Sequence, residues 1–269
     1  MSKRSTISVV IPCYNVERIV KPTLNSLTWC DEVIIVDMFS TDSTKEICLS
    51  YPNVKFYENK DYIYANVNYG IDKSNSDWIL RLDSDEIITP ELRDEIINDV
   101  LNNPSVTFDG FNAQQEIYVM GYLMKYGHGS DAWRGTLFRK GSARYLAQSE
   151  HEDFQKFGKW GRLKNKYQHF TNQNISVWVN KLNYYSDKDT ERWDPKTENI
   201  TVTKILYRTL RWFQRYYIYP HRAYRDGVRG FIVALIMTMG QMLNHLKLWE
   251  KQQRMIKGEA YFPDHPNAR

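Results

Sequence analysis

The order of apolar runs in the first hundred residues limits this chain more than any other feature. Ile7 to Ile11, Val33 to Val36, Val54 to Tyr57 and Trp78 to Leu82 each read as a short strand, most of them rich in β-branched residues. Helical stretches lie between them. Asn15 to Leu27 carries apolar Val16, Ile19, Val20, Leu24 and Leu27, with an interruption at Pro22. Ser40-Thr41-Asp42-Ser43-Thr44 offers N-caps for a helix running to Leu49, and Asn66 to Lys73 reads as a third helix. Strands alternating with helices predict an α/β fold, a mostly parallel sheet with helices on both faces. Such sheets bind ligands at the carboxyl ends of their strands. Three segments begin there: Pro12-Cys13-Tyr14-Asn15, Asp37, and Asp83-Ser84-Asp85.

The third segment closes the stretch Ile79-Leu80-Arg81-Leu82-Asp83-Ser84-Asp85-Glu86, an apolar strand that ends in three carboxylates. Three acids side by side repel one another unless positive charge sits among them. A hard divalent cation, Mn²⁺ or Mg²⁺, takes oxygen ligands of this kind and can hold a diphosphate. Taken alone, the motif fits equally well a solvated acidic turn leading into a helix at Thr89-Pro90-Glu91.

From about residue 105 the pattern changes. Gly110 to Met120, Thr136 to Arg139 and Arg144 to Ala147 read as short β pieces broken by glycines and by Gly127-His128-Gly129-Ser130. They predict antiparallel strands that extend the sheet into an acceptor-side wall. Beyond Ile175 the chain reads as helical, and Asp194-Pro195 is the best candidate for a boundary. The expected division is 1–175, with halves at about 1–104 and 105–175, followed by a helical region at 176–269.

Cys13, Cys30 and Cys48 are odd in number and lack metal-ligand spacing, which points to reduced thiols in a cytoplasmic protein. The apolar run after Met1-Ser2-Lys3-Arg4 stops at Pro12, too short for a signal-peptide core, and reads as a first strand. Charge is uneven: residues 1–150 hold 15 Lys/Arg against 21 Asp/Glu, whereas residues 201–269 hold 12 against 4. A basic tail suits a polyanionic partner surface.

Four ordered blocks carry a resemblance. Ser8-Val9-Val10-Ile11-Pro12-Cys13-Tyr14-Asn15, Asp31-Glu32-Val33-Ile34-Ile35-Val36-Asp37, Ser40-Thr41-Asp42-Ser43-Thr44 and Asp77-Trp78-Ile79-Leu80-Arg81-Leu82-Asp83-Ser84-Asp85-Glu86 resemble, in order and spacing, the family-two glycosyltransferases of GT-A, Rossmann-like fold. His128-Gly129-Ser130-Asp131-Ala132-Trp133, Leu137-Phe138-Arg139-Lys140, His151-Glu152, His169-Phe170 and Lys181-Leu182-Asn183-Tyr184-Tyr185-Ser186 look like the bacterial subgroup that adds glucose or a related hexose to lipopolysaccharide core. The resemblance implies an inverting transferase using a UDP-sugar and Mn²⁺ or Mg²⁺. On the donor side it implies Pro12, Tyr14, Asn15, Asp37, Asn68, Asp83, Ser84 and Asp85, with Asp85 and Asp83 at the metal. Glu152, then Asp153, would be the general base, with Trp133, Arg139 and His151 on the acceptor side. His169 reads as a metal or phosphate contact or as a structural residue.

The chain departs from the family pattern at Met38-Phe39, at Asn66-Val67-Asn68, and at Val16 before Glu17, so no diphosphate-contacting cation is identified. The acceptor is expected to be a glycan or a lipid-linked glycan; a protein or a polyprenyl phosphate is the alternative. No nucleic-acid partner is expected, and a homodimer is left open. A nucleotidyltransferase or a dinucleotide oxidoreductase needs a glycine-rich loop after the first strand, and Pro12-Cys13-Tyr14-Asn15 is not one. A catalytically dead binding module would have no use for the Asp83/Asp85 pair.

In the tail, Arg208, Arg211 and Arg215 are expected on one helical face, as are Arg222, Arg225 and Arg229, with Trp212, Phe213, Tyr216 and Tyr217 between. The apolar run Phe231 to Met239, weaker to Leu243, is shorter than the roughly 20 residues that span a bilayer. It suits a helix lying in a membrane interface or an amphipathic pair packed on the catalytic domain.

Overall fold

Seven consecutive buried residues, Ile7–Cys13, form β1. A strand that is apolar on both faces must be covered on both, the setting of a central parallel strand. β1 lies between β2 (Glu32–Asp37) and β4 (Trp78–Arg81), parallel to each, and β3 (Val54–Glu58) extends the parallel part beyond β2. In this computed structural model residues 4–127, 133–146, 154–171 and 173–261 are described.

Helices α1 (Val20–Asn25), α2 (Thr44–Leu49) and α3 (Ile63–Lys73) return the chain between these strands. Val10, Ile34, Val36 and Ile79 point to one face and pack with Val67 and Ile71 of α3. Val9, Ile11, Val33, Ile35 and Leu80 point to the other and pack with Val20, Leu24 and Cys48. Each such side chain contributes about 1.5–3 kcal/mol on burial. Gly70 lets α3 sit down on the sheet, because a Cβ there would lie 2.5 Å from Val10 Cγ1.

α1 is shorter than the spacing predicts. Asn15 takes a left-handed φ of 50°, and the amides of Val16 and Glu17 donate to Thr44 Oγ1 and Asp42 Oδ2. The residues before Val20 form bends and turns tied to the start of α2, and the regular helix begins only at Val20.

The antiparallel extension is present. β8 (Trp133–Arg139) runs antiparallel to β4, and β6 (Gly110–Val119) antiparallel to β8. β11 (Trp160–Thr171) and β5 (Glu86–Ile88) complete the order β3-β2-β1-β4-β8-β6-β11-β5. β7 (Tyr122–Leu123) pairs with the end of β6, and β9 (Ala143–Arg144) with β10 (Gln155–Lys156). The sequence did not announce β11. Arg162, Lys164 and Lys166 dilute its apolar signal, which comes down to Leu163 and Tyr167. The Thr89-Pro90-Glu91 helix start is present as α4 (Pro90–Glu95), with Thr89 accepting from the Leu92 amide.

The chain divides into two compact units: Met1–Ile117 with Asp131–Phe170, and Tyr118–Ser130 with Thr171–Arg269. In the second, α5 (Ile175–Arg192) and α6 (Val202–Tyr217) carry N-cap side chains at Asn174 and Thr201. A short 3₁₀ turn, Ala223–Asp226, leads into α7 (Gly227–Ile256). Gly230 presses against that turn, since a Cβ would fall 1.7 Å from the Ala223 carbonyl oxygen. Lys247 Nζ reaches Asp187 Oδ1 at 2.5 Å, and Lys251 Nζ reaches the Thr190 and Trp193 carbonyls, tying α7 to α5 and its C-terminal end.

Two expectations for the tail are corrected. Arg222 has φ 55° and stands outside any α-helix, so Arg222, Arg225 and Arg229 do not share an α-helical face. The apolar run also belongs to a longer helix: Ala223–Ile256 is long and apolar enough, by length and composition alone, to cross a bilayer.

Candidate active site

The loops after β1 and β2 are stitched together. Asn15 N–H donates to Ser40 Oγ at 2.7 Å, and Asn15 Oδ1 accepts from the Thr41 amide at 2.8 Å. Glu17 Oε2 accepts from the Ser43 amide at 3.0 Å. Asp37, 2 % exposed, accepts from the Ser40 amide at 2.7 Å, from Ser40 Oγ and from the Cys13 thiol. Ser40 and Cys13 thus fill three of the roughly four acceptor positions of the Asp37 carboxylate. Pro12 and Cys13 lie inside β1, paired with Val36 and Asp37, so the turn begins at Tyr14, two residues later than expected. Tyr14, at the strand end, is 39 % exposed. Burial raises the pKa of all three thiols, Cys13, Cys30 and Cys48, and holds them protonated.

The acidic turn after β4 is built differently. It is not solvated: Glu86 is buried and Asp83 and Asp85 are half-buried. Arg81, inside the strand, grips Asp83 with its two terminal guanidinium nitrogens, at 2.8 and 3.0 Å. Burial would raise the Asp83 carboxyl, but Arg81, His169 and Arg134 together outweigh it and the net shift is downward. Glu86 is pushed up to about 7 by burial and by the neighbouring Asp83 charge. It accepts from the Asp83 amide at 2.8 Å and from Gln115 Nε2 at 2.6 Å. Across the β5–β11 pairing, His169 lies opposite Glu86 and sets Nε2 3.4 Å from Asp85 Oδ1. Burial lowers the His169 pKa; Asp85, Glu86 and Asp83 together outweigh it and raise it above the ordinary value.

Three buried atoms in this cluster find no partner among the described residues: Arg81 Nε, Gln115 Oε1 and His169 Nδ1. Leaving such groups unpaired costs about 1–3 kcal/mol each. Asp85 and His169, the latter as neutral imidazole, would hold a divalent cation, and that cation would supply positive charge to a diphosphate. No group of three or more His, Cys, Asp or Glu suited to a metal occurs among the described residues. Asp83 is bound to Arg81 and so orders the turn more than it offers a ligand.

The other sequence candidates separate. Extending the β4–β8 register places Arg134 level with Asp83 and Trp133 level with Ser84. Arg162 stacks on the Trp133 ring at 4.7 Å. Arg139 is corrected: it pairs with Trp78 at the opposite end of the sheet, where its guanidinium donates to the Val106 and Phe108 carbonyls and stacks on Trp78. Asn68 is also accounted for, since its amide exchanges two hydrogen bonds with the Tyr145 backbone, at 2.9 and 3.1 Å. Ser84 offers its carbonyl to Thr23 Oγ1. Trp160 covers Gly110 and Gly135 and serves packing. His151, Glu152 and Asp153 lie outside the described residues. Sequence reasoning missed Arg81, Arg134 and Gln115, and counted Glu86 among the strand-end acids without foreseeing its burial. A charged residue inside an otherwise apolar strand was the available signal for Arg81.

A sequence model described as Glycosyl transferase family 2 matches residues 8–174. The chain is 25% identical over 258 residues to the lipopolysaccharide core biosynthesis glycosyltransferase LpsC of Rhizobium meliloti, covering 93% of this chain and 94% of that one. It is also 25% identical over 277 residues to an uncharacterized glycosyltransferase of Rickettsia typhi, covering 95% and 91%. Among solved structures, the mannosyltransferase PcManGT from Pyrobaculum calidifontis, in complex with GDP-Man and Mn²⁺, aligns with a TM-score of 0.49 at 12% identity, covering 94% of this chain and 88% of that one. S. aureus TarS 1-349 in complex with UDP-GlcNAc aligns with a TM-score of 0.48 at 13% identity, covering 98% and 95%. The match across most of the α/β unit, together with the strand-end acids it contains, makes this chain a member of glycosyl transferase family 2.

Proposed function

We propose that the protein is an inverting, metal-dependent hexosyltransferase that moves a sugar, glucose first among candidates, from a UDP-sugar to a hydroxyl of a glycan or lipid-linked glycan. The carrying observation is the Asp85–His169 pair beside an acidic turn ordered by Arg81. Mn²⁺ or Mg²⁺ held there would neutralise charge on the departing nucleoside diphosphate. Tyr14 offers a ring to the base, and the Asn15–Ser40 stitching fixes the loop that frames it. Arg134, exposed and near enough to help lower Asp83, is the cation available to the diphosphate. Glu152, with Asp153 as second choice, takes the proton of the acceptor hydroxyl as its oxygen attacks the anomeric carbon and the bond to UDP breaks. That assignment rests on the resemblance of His151-Glu152 to the family's motif. The glycan acceptor draws support from the lipopolysaccharide-core relative.

The test is nucleoside diphosphate release by the purified chain from UDP-glucose, other UDP-hexoses and GDP-mannose, each with Mn²⁺ and a lipopolysaccharide-core or lipid-linked glycan acceptor. Release from a UDP-sugar alone supports the reading. Release only from the GDP-sugar would replace the donor, and release from none would remove the transferase activity.

A further inference from the structure

The second unit carries a surface that the transfer chemistry does not use. Along α6, Val202, Leu206 and Leu210 recur every four residues and are 65–69% exposed. Along α7, Val228, Phe231, Leu235, Leu246 and Trp249 recur at helical spacing and are 40–75% exposed. The two stripes meet where Phe213 and Tyr217 contact Phe231, with ring centroids 6.0 and 5.7 Å apart. The other side of α7 is committed. Gly230 presses on Ala223, Gly240 on Leu182, and Lys247 and Lys251 bond to α5 and its C-terminal end. The helix Ala223–Ile256 is long and apolar enough, by length and composition alone, to cross a bilayer, but contacts to Ala223, Leu182 and α5 occupy one side of it. A helix with one apolar face lies in the interface plane.

Charge selects the occupant. Arg211, Arg215, Arg222, Arg225 and Arg229 have no carboxylate partner among the described residues. Four of them stack on aromatic rings: Arg215 on Trp212, Arg222 on Tyr219, Arg225 on Tyr126 and Arg229 on Tyr122, the last at 3.7 Å. A second copy of the chain would bring the same positive charge to this face, whereas anionic headgroups neutralise it. Arginine and tyrosine side chains, apolar in the stem and polar at the tip, suit headgroup depth.

We propose that the α6–α7 face docks on an anionic phospholipid bilayer, with Leu206, Leu210, Val228 and Leu235 at the acyl boundary and Arg222 and Arg225 among the headgroups. The docking stands on the second unit alone and is independent of the donor and metal.

Flotation of the full chain with two kinds of vesicle tests it: phosphatidylcholine alone, and phosphatidylcholine with about one third phosphatidylglycerol. The chain should float with the anionic vesicles and stay behind with the neutral ones. L206E/L235E changes two exposed side chains, leaves folding intact, and should lose flotation. R222Q/R225Q should weaken partitioning by about 25-fold, about fivefold per arginine. UDP binding should be unchanged in both variants. Equal binding to both vesicles, binding to neither, or retained flotation of L206E/L235E would overturn the docking. So would a stable dimer in solution that L206E/L235E disperses, which would make a second copy the occupant.

Discussion

The loops after β1 and β2 and the acidic turn after β4 sit at the same end of one sheet, yet they are built on opposite terms. In the first, Ser40 bonds to Asn15 and Asp37, and Glu17 bonds to Asp42 and Ser43, so the shape exists before any ligand arrives. In the second, charges are crowded and partly buried, and Arg81 Nε, Gln115 Oε1 and His169 Nδ1 are left without partners among the described residues. A satisfied network gives shape. An under-satisfied one stores electrostatic free energy that a cation and a diphosphate can release. Recognition and charge neutralisation are thus assigned to different strand ends.

The largest expected effect breaks the second region. Asp85→Asn should lower turnover about a thousandfold, the scale of losing a charge-stabilising group, with little change in melting temperature, because Asp85 contributes charge and little packing. Near-wild-type turnover with Mn²⁺ present would remove its metal role. Arg81→Leu should cost about 3 kcal/mol of stability in urea unfolding, since it strands Asp83 in a half-buried site; a smaller loss would mean that Asp83 is held by something else. Glu152→Gln should reduce turnover about a hundredfold and spare UDP affinity. If UDP affinity falls instead, Glu152 belongs to the donor side and Asp153 becomes the base.

Smaller changes sharpen the contrast. Ser40→Ala removes one donor to Asp37 and one acceptor from Asn15, and should cost about 1 kcal/mol while leaving the metal dependence of UDP binding intact. Glu32, at the far end of β2, is a control away from both regions. Burial would raise its carboxyl, but hydrogen bonds from Lys55, Ser8 and the Asn75 amide lower it below the usual value of 4.5. Its stabilising contribution is full above that unfolded value and is lost as pH falls through the lower folded one. Glu32→Gln should therefore be less stable than wild type at neutral pH by about 1 kcal/mol, and unfolding curves of the two should converge in acid.

Local pattern carried the parallel strands, because β1, β2 and β4 are buried on both faces and read as unbroken apolar runs. It located the acids at the strand ends for the same reason. It did not carry β11, whose apolar residues are separated by lysines and an arginine and whose place is set by long-range pairing with β5. His169 was visible as a residue but not as a neighbour of Asp85, since 84 positions separate them in the sequence. Arg139 misled for a related reason. Its strand runs antiparallel to β4, so the strand's first residues, Trp133 and Arg134, face the site and its last one does not. Asn68 looked like a donor contact, but its reciprocal bonds with Tyr145 depend on a segment far along the chain.

The most direct measurement is a calorimetric titration of UDP into the wild-type chain and into Asp85→Asn, each with Mn²⁺ and then with excess chelator. The division of labour between the two strand ends predicts tight UDP binding by wild type only with Mn²⁺. It also predicts residual, metal-independent binding by Asp85→Asn under both conditions, through the loops after β1 and β2. Equally tight UDP binding by wild type with and without the metal would contradict it.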